Sequence, residues 1–416
     1  MSIFTRIQAD FKRVLIFYIS IIFILILFLT LFNVPAFEDF YYYYAIDGIH
    51  IAQGHLLFRD FIPFYPIVME YYLGLLGLMS MNVLIARCIQ AGINIVIFLI
   101  MYDICKVLGI QNSNKIMFFY SLNTIMIFFS IVQVNNDILL VLLIALSLNF
   151  YLRKNYVGVG ITVALGLLTK LFAIVILIPV GLFLIKRKEI KNIILLVISF
   201  LATFLALILP FYFLSNVSIF DIILNPFRMT EGHPLNQPYY LIHGFGVAKQ
   251  ILQYASSFTA IGIIIFYVLY IERKEEDLSI NTIFWSFTLF LLFQSFLVPW
   301  FFVWIMPIYH LVQKDNIEKK IWLVQIFIGI NFLMYSLPGY FIVLGQIPLI
   351  SSIENFFITF SIYGSILFGL GVLILQFSVL LLLTNDKTDL PKNELFISNI
   401  VLNILAAIFL ILTLIF

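Results

Sequence analysis

YVGVGITVALGLLTKLFAIVILIPVGLFLI, residues 156–185, is the stretch on which the topology turns, because it is largely apolar and carries a single charge, Lys170. A membrane-crossing helix needs about 20 residues at a 1.5 Å rise. The stretch is too long for one ordinary span and, at about 15 residues or 22 Å each, short for two. Flanking charge decides between the two. Two short helices meeting near Lys170 leave the KRKEIK run (186–191) cytoplasmic, whereas a single helix would expose it and flip every later loop.

The rest of the chain fits this frame. Its 416 residues are 63% hydrophobic and 11% charged, with several apolar runs long enough to cross a ~30 Å hydrocarbon core. An all-α polytopic transmembrane bundle of about 12 to 13 spans is expected, as a single integral membrane domain over 1–416. The longest stretches between apolar runs, 215–253 and 35–62, are too short for an independent soluble core. Arg6, Lys12 and Arg13 precede an apolar run from Val14 to Val34, which reads as an uncleaved anchor. With that basic end cytoplasmic, helix 1 delivers residues 35–81 to the outer face. Within them, 62–80 contains Pro63, Pro66, Gly74 and Gly77, and a span there would put Lys106 and Lys115 outside, so an interfacial helix is expected instead. Further spans are expected at 82–105, 116–132, 137–152 and 192–213, with a tight QVNND turn (133–137) placing Asp137 near the outer face. A second outer loop, 214–253, precedes spans at 254–271, 280–298, 301–313, 321–338, 357–384 and 395–415.

In this topology, of the 23 Lys and Arg only Arg59, Arg87, Lys170, Arg228 and Lys249 are on or near the outer side. The net charge of +2 points to no particular partner, and no nucleic-acid partner is expected. Cys88 and Cys105 fall in one predicted helix, roughly 25 Å apart, too far for a disulfide.

The first outer loop is where chemistry is expected. FEDFYYYYAIDGIHIAQGHLLFRDFIPFYPIVME (37–70) gathers Glu38, Asp39, Asp47, Asp60 and Glu70 beside two histidines and an aromatic run. Carboxylates next to hydrocarbon persist when they are solvated, paired or used, so the loop is a site hypothesis as well as a plausible solvated surface.

Asp39, Tyr44-Ala45, Gly54, Asp60-Phe61 and Tyr65-Pro66 together resemble the first outer loop of the GT-C superfamily of membrane glycosyltransferases. The similarity is to its polyprenyl-phosphate-sugar-dependent, mannosyltransferase-like members. Ile67 stands where that pattern has a second proline. LGLLTKLFAIVILIP (165–179) is similar to the family's Thr-Lys segment, and QSFLVPWFFVWIMPI (294–308) to its late aromatic segment. The resemblance implies transfer of a hexose, such as mannose, from a polyprenyl-phosphate carrier to a glycan, lipid or protein acceptor. It places the active site on the extracytoplasmic side of the cell membrane.

Such transfer needs a base for the acceptor hydroxyl and a group to offset charge on the departing phosphate. Asp39 or Glu38 can supply the base, and Asp60 is the third candidate catalytic acid. Arg87 and Lys170, with Arg59, are the candidate phosphate ligands; Arg offers a fork to phosphate oxygens and Lys a point charge. Structural alternatives are an ion pair of Arg87 with Asp137 or Glu70, and a snorkelling Lys170. His55, His243 and Tyr65 are the candidate substrate contacts. Tyr41 to Tyr44, Trp300 and Trp304 suit stacking on a sugar or an interfacial aromatic belt. No His-x-x-x-His or Cys-x-x-Cys spacing accompanies His55, His233 and His243, so neither a metal nor a cofactor is expected. The rival reading is a lipid or solute transporter, which would hold polar residues near the midplane in paired repeats; no matching second half is visible.

Overall fold

The computed structural model describes residues 7–8, 10–34, 36, 40–215, 217–222, 249–271, 278–293 and 299–312. Among them the chain is helical, and its strand-like feature is an isolated bridge between Leu57 and Phe61. Three helices are long and apolar enough to cross a membrane: α1 (Phe11–Leu31), α4 (Val83–Val107) and α10 (Ile190–Ser215). A fourth crossing results if the segments Ser113–Ser121 and Ile125–Val132, bent by 50°, count as one. The expected spans at 321–338, 357–384 and 395–415 lie outside the described residues, as does most of the second outer loop.

Residues 40–81 form two short helices rather than one long one. α2 (Ala45–Ala52) follows a π-helical turn, Phe40–Tyr44, and packs against α3 (Ile67–Leu78). Small residues make the close crossing possible, since a Cβ on Gly77 would lie 1.9 Å from the Gly48 carbonyl oxygen. Gly54, at φ +86°, closes the end of α2, where the His55 N–H returns to the His50 carbonyl at 3.0 Å. α3 is anchored sideways: the Val68 N–H donates to the Leu168 carbonyl at 2.9 Å.

α4 starts at an Asn82 cap, whose side chain accepts from the Leu84 and Ile85 N–H groups at 2.9 and 3.2 Å. α5 (Ser113–Ser121) and α6 (Thr124–Ile127) are separated by a break at Leu122–Asn123, where Asn123 Oδ1 accepts the Met126 N–H. A π-helical turn, Phe128–Val132, then leads through 133–136 into α7 (Asp137–Leu152).

The 156–185 stretch breaks at Lys170. α8 (Tyr156–Leu167) ends as the Thr169 and Lys170 N–H groups both turn back to Gly166. Lys170 is extended (φ −155°, ψ 138°), and the chain re-enters helix through a 3-10 segment, Leu171–Ile176, and α9 (Leu177–Lys186). The limbs press together: a Cβ on Gly166 would lie 2.6 Å from that of Ala173. Neither limb has the ~20 residues of an ordinary span, so the halves serve to hold Lys170 at a bend.

α11 (Lys249–Phe266), α12 (Ile280–Phe293), a 3-10 turn over Pro299–Trp304 and α13 (Met306–Val312) complete the described elements. The 3-10 turn packs on α7, which brings the late aromatic segment onto the helix that Asp137 begins.

Candidate functional site

The broken helix puts the Lys170 ammonium against the start of α7. Lys170 Nζ donates to Asp137 Oδ1 at 2.6 Å, in an ion pair whose side chains are 14% and 1% exposed. Trp304 Nε1 donates to the same oxygen at 2.8 Å. The ammonium also lies 5.9 Å from the Tyr65 ring centre, 5.7 Å from that of Phe301 and 5.9 Å from that of Trp304. These distances permit cation–π attraction in a desolvated place. Lys170 is thus the cation that meets Asp137, a role the sequence reading had offered to Arg87. Trp304 neither stacks on an open face nor joins a belt: it is buried, with Phe301 at 4.2 Å and Phe172 at 4.5 Å taking its ring.

Arg87 lies one turn into α4 and is buried. Its guanidinium donates to the Val34 carbonyl at 2.8 Å, Ile131 at 3.1 Å and Val132 at 3.4 Å. It therefore ties the exit of α1 to the segment before α7. Glu38 and Asp39, a few residues beyond Val34, lie outside the described residues, as do Arg228, His233 and His243.

Tyr65 joins two polar centres. Its ring meets Lys170 on one side and packs edge-on against Tyr44 at 5.7 Å. Its N–H donates to Glu70 Oε1 at 2.5 Å, and the preceding Phe64 N–H donates to Asp47 Oδ2 at 2.8 Å. Asp47 on α2 and Glu70 on α3 thereby bury two neighbouring carboxyls, a pair the sequence reading left among the general loop acids. Burial pushes the Glu70 carboxyl well above its ordinary value, and the Asp47 charge adds to the push. Asp47 is raised too, chiefly by burial, with the Phe64 amide opposing. The side-chain interaction between the two carboxyls works in opposite directions, raising Glu70 and lowering Asp47.

Arg59 and Asp60 form a separate, exposed pair. Nε and Nη2 of Arg59 meet the two Asp60 carboxylate oxygens, both at 2.9 Å, and the Leu56 N–H adds a bond at 2.7 Å. The guanidinium holds the Asp60 carboxyl down at about 2. His55 faces His50 with Nδ1 atoms 2.9 Å apart, and His50 stacks on Phe61. Of the predicted residues, then, Tyr65 and Lys170 are brought together, while Arg59, Asp60 and His55 cluster around the turn after α2. Among the described residues no group of three His, Cys, Asp or Glu side chains gathers as a metal site would require.

The sequence reading passed over the amides beside Asp137. Gln133 and Asn136 are buried, yet neither side chain makes a hydrogen bond within the described residues. The signal that could have flagged them is the QVNND run, four polar residues in five between two apolar helices. No protein-family model matches the chain, and no curated protein matches it in sequence.

Proposed function

We propose that the protein is a polytopic membrane glycosyltransferase of the GT-C kind, which moves a hexose such as mannose from a polyprenyl-phosphate carrier to an acceptor on the extracytoplasmic face. One observation carries the reading. The three segments that bear the resemblance, far apart in the chain, converge: Tyr65 of the first loop and Trp304 of the late aromatic segment both lie within 5.9 Å of Lys170 Nζ. Core packing alone gives little reason to collect an ammonium, a carboxylate and aromatic rings at a helix break, since desolvating the charges opposes folding.

In this reading the bundle has the 12 to 13 spans expected from hydropathy, and α2 and α3 lie in the outer interface. Asp39, or Glu38 beside it, removes the proton from the acceptor hydroxyl. The oxygen attacks the anomeric carbon, and the bond from that carbon to the carrier's phosphate oxygen breaks, its electron pair leaving with the phosphate. Lys170 spends one N–H on Asp137 and has two more for phosphate oxygens. Arg87 fixes Val34 at the exit of α1.

The test is transfer from a defined polyprenyl-phosphate hexose by the purified full chain. Asp39→Asn should bind the donor normally and lose roughly 10² to 10⁴ in rate, because the amide accepts no proton. Glu38→Gln should lose much less, since adjacent side chains diverge. Near-normal turnover by Asp39→Asn refutes Asp39 as the base, and loss confined to Glu38→Gln moves the role one residue back. Absence of transfer by the wild-type protein to any hydroxyl acceptor refutes the function.

A further inference from the structure

The turn that leads into α7 contains more hydrogen-bonding capacity than the fold uses. Its backbone is tied to the preceding turn: the Gln133 N–H donates to the Phe128 carbonyl at 3.0 Å and the Asn135 N–H to Phe129 at 2.9 Å. Asn135 Oδ1 accepts the Asp137 N–H at 2.9 Å, a bond that closes the turn two residues on. The side chains of Gln133 and Asn136 do none of this. They are 4% and 0% exposed, and Gln133 Nε2 and Oε1, Asn136 Nδ2 and Oδ1, and Asp137 Oδ2 are all without a partner within the described residues. Buried polar atoms are nearly always satisfied, because each one left unpaired forfeits its hydration for nothing. Five such atoms in one five-residue turn concentrate unused hydrogen-bonding capacity at the start of α7. Val134, between them, holds φ +60°, a conformation that β-branched residues avoid.

The chemistry of these atoms defines what they would take. Two carboxamides supply donors and acceptors in equal measure and carry no charge. The one charge, Asp137, is balanced by Lys170, and its Oδ2 is left to accept. An ionic ligand gains little from such a turn. A neutral polyhydroxyl ring, whose hydroxyls both donate and accept, matches it, and Lys170 stands beside it with N–H groups for an attached phosphate.

We infer that Gln133, Asn136 and Asp137 Oδ2 form the subsite for the hydroxyl groups of a hexose ring, adjacent to Lys170. The inference rests on the glycosyltransferase reading in identifying that hexose as the one carried by the donor lipid. Gln133 and Asn136 are specificity residues in this scheme: they hold the sugar, while proton removal and departure of the phosphate belong to other groups.

The variants are Gln133→Met and Asn136→Leu, close to the native side chains in volume and apolar. Three measurements on the purified full chain are compared: affinity for a polyprenyl-phosphate hexose, affinity for the sugar-free polyprenyl phosphate, and saturation-transfer NMR contact with methyl hexosides. The wild type should prefer the sugar-bearing lipid. Each variant should reduce that preference by roughly tenfold to a hundredfold while binding sugar-free lipid unchanged, and should lose methyl hexoside contact. Thermal stability without ligand should hold or rise, because an unpaired polar group has been removed. Stability that falls together with equal loss for both lipids assigns the amides to the fold and overturns the inference, and so does an unchanged preference for the sugar-bearing lipid. If neither lipid binds but methyl hexosides do, and Asn136→Leu abolishes that contact, the donor reading fails and the subsite stands. Absence of any saccharide contact with the wild type overturns the subsite whatever the lipids do.

Discussion

Removing either member of the Lys170–Asp137 pair should have unequal consequences, and the inequality follows from burial. At 2.6 Å and an effective dielectric near 20, the attraction amounts to about 6 kcal/mol before desolvation is counted. Withdrawing both charges from water takes back several kcal/mol, so the net worth is far smaller than the gross figure. The partner left behind sets the cost of each variant. Lys170→Met strands Asp137 at 1% exposure, with Oδ2 already lacking a hydrogen bond, and should destabilise by ~3 to 5 kcal/mol. Asp137→Asn leaves an ammonium at 14% exposure on a flexible stem, still over three aromatic rings, and the amide oxygen can still accept from Trp304. That variant should cost ~1 to 2 kcal/mol. The double variant Lys170→Met/Asp137→Asn strands no charge and should be more stable than Lys170→Met alone, giving a coupling of roughly 2 kcal/mol or more. The assay is reversible unfolding of purified protein in mixed micelles, run as a double-mutant cycle. Costs that add to within about 0.5 kcal/mol would refute the argument, since independent side chains behave that way.

Two further predictions concern the first loop. Burial and the neighbouring Asp47 raise the Glu70 carboxyl well above its ordinary value, so its contribution to stability is complete below the ordinary carboxylate range and declines as pH rises through its elevated folded value. Glu70→Gln, which mimics the protonated form, should flatten the decline and be the more stable protein at alkaline pH. Parallel thermal-stability profiles for the two proteins would show that Glu70 is ionised in the fold. Gly77→Ala should separate α2 from α3, because the added methyl meets the Gly48 backbone rather than a movable side chain. Its expected cost is ~1 to 3 kcal/mol, the usual range for overpacking, with faster proteolysis of residues 53–66, and a stability equal to wild type would mean that the crossing is looser than described.

Hydropathy and charge were enough to read the helical character, because a lipid-facing backbone must satisfy its own hydrogen bonds and the apolar runs are long. They also gave the break at Lys170, where length and flanking charge forbade one straight helix, and the short helix after Pro66 in place of a span. The start of α7 at Asp137 was legible too, since QVNND interrupts two apolar runs. Partnership was decided only by tertiary structure. Lys170 meets an acid 33 residues away and Trp304 reaches the same oxygen across 167 residues, while Asp47 and Glu70 come together on separate helices. Arg87, which sequence offered to a phosphate or an acid, binds backbone carbonyls at the exit of α1 and before α7. The physical reason is that periodicity reports which face of a helix is apolar, whereas the neighbour of a polar side chain depends on how several helices cross. Unused hydrogen-bonding capacity, such as that of Gln133 and Asn136, becomes visible only when every crossing is in place.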